Sequence, residues 1–197
     1  MRVIAGSMKG HPLKVPRSTR TRPMSQRIRE AVFSTLASLG VRPERVLDLY
    51  AGSGGIGIEA LSRGAAWCDF VEQNAAACGV IRDNLAGTRF GERAAVHQTN
   101  VDGFIARASS AYDLVVMDPP YADPRIVETL AALAASAAVA AGTVVVLGHW
   151  PRLEPPERIG GLERLRYRCH GDSCFSIYEA GGADESTPAV GGAVEEG

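Results

Sequence analysis

The stretch RVLDLYAGSGGIGIEAL, residues 45 to 61, constrains the chain more than any other. A short apolar run enters a glycine-rich turn, and a helix-period segment follows at once. That is how a strand hands over to a helix at the edge of a parallel sheet. Gly52, Gly54 and Gly57 satisfy G-x-G-x-x-G, and Glu72 lies twenty residues past Gly52. Glycines there permit positive φ and close backbone approach, while a carboxylate on the next strand accepts hydrogen bonds from ribose hydroxyls. The combination suits nucleoside cofactors as a class; a ligand-free strand–helix turn is the plain alternative.

The pattern repeats along the chain. CDFVE (68–72), AAVHQ (94–98), YDLVVMD (112–118) and GTVVVLGHW (142–150) read as strands, with helices over 74–85, 101–106 and 125–138 between them. Such alternation predicts an α/β fold, a Rossmann-like, doubly wound and mostly parallel sheet with helices on both faces. LERLRYRC and SCFSIYEA read as a closing antiparallel pair. Ahead of this unit, MRVIAGSMKGHPLKVP has two apolar runs around a Gly/Lys/Gly turn and predicts a hairpin. RSTRTRP is a basic loop, and a helix starts near Met24–Ser25, carries Ile28, Val32, Phe33, Leu36 and Leu39 at helical spacing, and stops at Gly40. After Ala180 the chain has too little apolar content to pack and is expected to be disordered. The expected division is a basic extension over 1–40, a cofactor-binding domain over 41–180 and a tail over 181–197.

Charge separates the ends of the chain. The formal net charge is −1, yet residues 1–30 hold Arg2, Lys9, Lys14, Arg17, Arg20, Arg22, Arg27 and Arg29 against Glu30 alone. The last nineteen residues hold Glu179, Asp184, Glu185, Glu195 and Glu196 with no base. A basic arm on a mildly acidic body suits a polyanion, although a solvated basic face gives the same signature. No apolar run is long enough to span a membrane and no secretory signal opens the chain, so a cytoplasmic protein is expected. Cys68, Cys78, Cys169 and Cys174 form no C-x-x-C pair and match no metal spacing, so no metal is expected. They read most simply as small core or surface thiols, with a Cys169–Cys174 pair left open.

Two nucleoside cofactors use a corner like residues 48–57. Asp48 inside the motif favours S-adenosylmethionine, because it could help hold a methionine ammonium. No second half exists for a nicotinamide and its substrate. The only lysines are Lys9 and Lys14, so a Tyr-x-x-x-Lys pair is excluded, and no Gly-Lys-Ser/Thr follows the turn to make a P-loop.

The fourth strand ends in Asp118-Pro119-Pro120-Tyr121. A stiff turn explains the two prolines but not the aspartate and tyrosine that flank them. The tetrapeptide opens at the same carboxyl edge as the glycine turn, where open α/β sheets bind ligands. Asp-Pro-Pro-Tyr resembles the (Asp/Asn)-Pro-Pro-aromatic signature of S-adenosylmethionine-dependent amino-methyltransferases. With MRVIAGSMKGHPLKVP, TRPMSQRIREAVFSTL, VLDLYAGSGGIGIEALSRGA, FVEQNAAACGVIRDNL, DLVVMDPPY and HGDSCFSIYEA, residues 1–179 resemble the RsmD family of bacterial 16S rRNA guanine-N2 methyltransferases.

The resemblance implies a methyltransferase domain over 41–180. It implies that Asp118 and the Pro119 carbonyl accept the protons of a guanine exocyclic amine, with Pro120 holding the turn and Tyr121 stacking on the base. Orientation of the amine is then the main contribution, and Asp118 stabilises the charge that develops on nitrogen. It further implies that Ala51, Gly52, Ser53 and Gly54, with Asp48, wrap the methionine of S-adenosylmethionine, that Glu72 holds the ribose, and that Asn100 and Val101 meet the adenine. Arg2, Lys9, Lys14, Arg17, Arg20 and Arg22 are the expected contacts to 16S rRNA in an assembled or assembling small subunit, and Arg22, with Pro23 and Ser25, is expected either to close over the cofactor or to touch the RNA. Gly148 and His149 stand where an acidic stretch is expected, and Gly171-Asp172-Ser173 where Gly-Asp-Thr is; His149 reads as structural rather than as a base. The rival readings are a DNA adenine-N6 methyltransferase and a non-enzymatic protein that binds S-adenosylmethionine and RNA.

Overall fold

The computed structural model describes residues 1–16 and 24–182. Arg17, Arg20, Arg22 and Pro23, and the tail from residue 183 on, therefore lie outside the described residues.

Strands of β-branched and apolar residues build one eight-stranded sheet. They are β1 (Arg45–Leu49), β2 (Trp67–Glu72), β3 (Ala94–Gln98), β4 (Leu114–Met117), β5 (Val144–His149), β6 (Arg158–Ile159), β7 (Leu162–His170) and β8 (Ser173–Ala180). Their order is β3-β2-β1-β4-β5-β8-β7-β6. The first five run parallel, and β8, β7 and β6 close the sheet antiparallel. The expected doubly wound sheet with a closing antiparallel pair is what forms. β6, with two residues, is too short to leave a periodic trace in the sequence.

Alternate residues of each strand feed two cores. Val46, Phe70, Val116, Val146, Phe175 and Ile177 pack under helices α1 (Gln26–Ser38), α2 (Gly55–Ser62) and α3 (Ala75–Thr88). Leu47, Leu49, Val71, Val115, Met117, Val145, Leu147 and Tyr178 pack under α4 (Val101–Ile105) and α5 (Ile126–Ala134). This alternation is why both faces are covered and why the strands read as nearly continuous apolar runs. No helix among the described residues is long and apolar enough to cross a membrane.

The helix starts follow side-chain caps. Ser25, Asn74 and Asn100 accept from Ile28, Ala77 and Gly103 N–H respectively, satisfying amides that the helix leaves orphaned. α5 ends four residues before the expected Ala138. There the Ser136 hydroxyl and N–H both donate to the Leu133 carbonyl, which closes a tight last turn and turns the chain away.

The amino-terminal hairpin is minimal, one bridge between Arg2 and Pro12, but it is anchored firmly. Val3 and Leu13 enter the core under α1 and α2. Ile4 and Ala5 N–H donate to the Glu59 carboxylate of α2 at 2.7 and 3.0 Å, and the Ser62 hydroxyl donates to the Ala5 carbonyl. Arg29 departs from the reading of a uniformly basic arm. It is 1 % exposed, donates to the Arg2 carbonyl, and so fastens α1 to the hairpin instead of facing solvent.

Cys169 and Cys174 face each other across the β7–β8 hairpin and form a disulfide, settling the pair the sequence left open and replacing the free thiols expected. Cys68 and Cys78 are buried thiols.

Candidate functional site

The sheet order reverses between β1 and β4, and the crevice lies beyond their carboxyl ends, the usual ligand position in an open α/β sheet. A cavity of about 610 Å³ opens there, within the range of cofactor sites. Its wall includes Gly52, Glu72, Asn100, Val101, Asp118 and Pro120. Residues from four strand ends, up to 68 positions apart in sequence, are thereby brought into one hollow.

The glycine turn is built by close packing. Gly52 and Gly54 adopt φ of +57° and +76°, and Gly54 caps α2 from the left-handed region. Gly57 is required for a different reason: a Cβ there would stand 2.3 Å from the Phe70 ring, so the glycine lets α2 approach β2. Asp48, 1 % exposed, accepts from the Gly57 N–H at 2.9 Å and pins the turn to β1. Ala51, Ser53 and Gly54 shape the turn behind the cavity wall, which Gly52 alone of the four lines.

Glu72 spans the turn and the next helix. One carboxylate oxygen accepts from Gly52 N–H at 2.9 Å and the other from Asn74 N–H at 2.8 Å. The remaining lone pairs are available to ligand hydroxyls. Asn100 spends its side-chain oxygen on the cap of α4, at 2.7 Å from Gly103 N.

Asp118 is only half-buried by area, yet protein surrounds its carboxyl group closely. It accepts from Met24 N–H at 3.1 Å, and burial raises its pKa to about 7. Burial, with Asp118 and Glu72 as neighbouring charges, raises Asp48 to about 8 despite the Gly57 hydrogen bond. Burial dominates both shifts, and at Asp48 the neighbouring acids add to it. Among the described lining residues, Glu72, Asp102, Asp118 and Asp123 stand against Arg125 alone, and Arg125 is already paired with Asp102 at 3.0 Å.

Sequence reasoning missed several wall residues. Tyr50 lines the cavity at φ +60°, a strained conformation for a non-glycine residue, directly after β1. Gln73 comes from the turn between β2 and α3, Ala77 and Val80 from the first turns of α3, and Pro16 from the hairpin's exit. The position after a strand end is the only sequence signal they carry. Gly148, read as a departure from an acidic stretch, leaves room for the catalytic candidate: a Cβ there would stand 2.4 Å from Asp118 Oδ1.

The other expected residues divide. Pro119 is buried and Tyr121 is 36 % exposed, and of the tetrapeptide only Asp118 and Pro120 line the cavity. Arg2 and Lys9 are exposed on the hairpin, where Arg2 donates to the Gly10 carbonyl. Lys14 is exposed and paired with Asp83 at 2.8 Å. His149 is 0 % exposed. Its Nδ1 faces the Trp150 carbonyl at 3.0 Å, which only accepts, so Nε2 takes the Ser176 hydroxyl proton at 3.1 Å. Both nitrogens are used within the fold, and burial lowers the ring's pKa.

Comparison with known proteins agrees with this geometry. A family model described as "Conserved hypothetical protein 95" matches residues 1–179. "Putative rRNA methyltransferase YlbH" of Bacillus subtilis is 32% identical over 185 residues, covering 92% of this chain and 100% of the relative. "Ribosomal RNA small subunit methyltransferase D" of Escherichia coli is 37% identical over 130 residues, 66% of this chain and 65% of the relative. Among solved structures, the protein titled "Putative methyltransferase yhhF from Escherichia coli" superposes with a TM-score of 0.81 at 29% identity, covering 92% of this chain and 98% of that one. A Thermus thermophilus protein does so at 0.79 and 32%, covering 91% and 99%. With the glycine turn, the acidic hollow and Asp-Pro-Pro-Tyr gathered at one sheet edge, the chain belongs to the RsmD/YlbH family of class I S-adenosylmethionine-dependent methyltransferases.

Proposed function

We propose that this protein methylates the exocyclic N2 amine of a guanine in 16S rRNA of the small ribosomal subunit, using S-adenosylmethionine. The observation that carries the reading is the acidic hollow. Four carboxylates face one guanidinium that is already paired, so the cavity favours a cationic ligand, and S-adenosylmethionine bears both a sulfonium and an ammonium. When bound, the cofactor supplies an electrophilic methyl group.

The protein's own groups do the rest. Glu72 would hold the ribose through lone pairs left free by Gly52 and Asn74, and Val101 would meet the adenine face. A guanine amine delocalises its lone pair into the ring and is a weak nucleophile. Asp118 as carboxylate, with the Pro119 carbonyl, would accept the two amine protons and turn the nitrogen lone pair toward the methyl group, and the carboxylate then stabilises the positive charge that develops there. Met24 N–H holds Asp118 in place during this. Tyr121 would stack on a base drawn out of its helix, a contact worth about 1–3 kcal/mol. In this reading residues 1–40 meet the RNA, residues 41–180 carry the chemistry, and the enzyme works in the cytoplasm, where ribosomal subunits are assembled.

The test is transfer of labelled methyl from S-adenosylmethionine to unmodified small subunits, protein-free 16S rRNA and DNA, each digested to nucleosides. Label in 2-methylguanosine supports the proposal. Label in methyladenine from DNA replaces it with an adenine-N6 activity, and bound cofactor without any transfer replaces it with a binding protein.

A further inference from the structure

Strand β7 carries arginines at alternate positions, Arg166 and Arg168, so both side chains leave the same face of the sheet. Their register fixes which face. Arg166 and Arg168 stand beside Ile177 and Phe175 of β8, and those stand beside Val146 and Gly148 of β5. Phe175 and Ile177 belong to the core under α1 and α2, and α1 packs over β8. The helical layer stops there. One strand further out, Arg166 and Arg168 are exposed.

The row has two relevant properties. First, it is uncompensated. Exposed arginines such as Arg42 and Arg89 also lack a carboxylate partner among the described residues, but here two such groups stand side by side on one strand face. Among the described residues Arg158, Arg164, Arg125 and Lys14 each have a carboxylate partner within 4 Å, whereas Arg166 donates only to the neighbouring Leu165 carbonyl and neither it nor Arg168 has an acidic partner. Second, it points at the chemistry. Arg168, Phe175 and Gly148 form one cross-strand row, and Gly148 is the residue packed against the Asp118 carboxylate. Two strand spacings put Arg168 about 10 Å from Gly148. Trp150, 37 % exposed just beyond β5, carries Arg152 over its ring at 5.6 Å and adds a flat stacking surface at the same end.

We propose that the outer face of β7, through Arg166 and Arg168, grips the phosphodiester backbone of the substrate RNA beside the catalytic edge. The inference rests on the RNA reading above and adds a second contact surface, separate from the amino-terminal arm. Phosphates match it because two unpaired guanidinium groups on alternate residues of a rigid strand offer charge and forked donors, and the Cys169–Cys174 disulfide fixes that end of the hairpin. The competing account is edge defence. β6 covers only Glu163 and Leu162 of β7, so the arginines could serve to discourage strand addition along an open edge.

Salt-dependent binding separates the two. Affinity for protein-free 16S rRNA is measured by filter binding across a KCl series for the full chain, for Arg166→Gln/Arg168→Gln, for the Lys/Lys pair at the same positions, and for Arg42→Gln, an exposed arginine just ahead of the amino end of β1, away from the carboxyl edge that holds the cavity. The Gln pair is expected to lower the slope of log affinity against log salt by about 1.4–1.8, as for two lost phosphate contacts, and to raise KM for RNA about tenfold with kcat and cofactor affinity unchanged. The Lys pair restores the slope, and Arg42→Gln leaves it as it was. An unchanged slope and KM in a folded Gln pair overturns the proposal in favour of edge defence. A wild-type protein that binds RNA with the arginine-dependent slope but methylates no guanine keeps this surface and sinks the methylation reading instead.

Discussion

Glu59 and Asp118 are both carboxylates enclosed by protein, and the molecule treats them in opposite ways. Glu59, in the middle of α2 and 0 % exposed, receives Ile4 N–H, Ala5 N–H and Arg63 Nε, all within 3.0 Å. Asp118, at the end of β4, receives one described donor, Met24 N–H. Burying a carboxylate costs several kcal/mol, and only charge partners and hydrogen bonds offset that cost. At the hairpin the offset is complete and the result is an anchor. At the cavity it is left incomplete, so the carboxylate keeps accepting capacity for a ligand. The difference teaches where to look for chemistry in this fold: at the enclosed acid with unspent lone pairs, more than at the most deeply buried one.

The largest effect that sharpens this comparison comes from Asp118→Asn. The amide keeps an oxygen for Met24 N–H and nearly the same volume, but it loses the charge and one acceptor. Methyl transfer should fall about 10²–10³-fold, the usual cost of losing an electrostatic partner of the reacting group. Stability should move the other way. The folded pKa of about 7 lies above the ordinary 3.8, so the folded state holds the proton more tightly. The destabilisation is absent below pH ~4, grows as pH rises, and is complete above pH ~7. Thermal melts should therefore find the variant more stable than wild type by about 1–4 kcal/mol at pH 8 and equal to it near pH 4. A variant that is inactive and also less stable at pH 8 would make Asp118 a second anchor and dissolve the contrast.

Glu59→Gln is the converse experiment. The amide turns an N–H₂ toward donors that need an acceptor and leaves Arg63 and the buried Arg29 without their counter-charge. Denaturant unfolding should show a loss of about 2–4 kcal/mol, while kcat of the folded fraction is unchanged. A fall in kcat at full folding would mean that hairpin anchorage is transmitted to the cavity.

These two acids also mark what was legible in the sequence. The glycine turn and Asp-Pro-Pro-Tyr could be read because each is local: turn, strand end and neighbouring helix follow one another, and the parallel topology places both at one edge. Met24 N–H on Asp118 could not, because the partners lie 94 residues apart and the donor is a backbone group with no residue signature. Arg29 looked like part of the basic arm, since charge counting ignores helix phase; beside Ile28 and three residues before Val32, it falls on the inward side of α1. Glu59 did leave a trace, as the single charge in the apolar run GIGIEALS. The Cys169–Cys174 bond left one too: Gly171-Asp172 between them makes a two-residue turn, which sets the cysteines opposite each other.

The smallest effect, and the most discriminating, is in the pH dependence. Asp118 accepts amine protons only as a carboxylate, and burial holds its pKa near 7, so the free enzyme gains its active form as pH rises. Log kcat/KM should climb by about one per pH unit below 7 and level off above it. A cationic cofactor beside Asp118 favours its charged form, and kcat, which reports the ligand-bound enzyme, should therefore inflect at lower pH than kcat/KM. Coincident inflections would say that the positive charge does not sit beside this carboxylate. A kcat/KM profile flat from about pH 5.5 to 8.5, with Asp118→Asn still inactive, would say that the side chain acts through its shape, and the contrast with Glu59 would then be one of packing instead of unspent lone pairs.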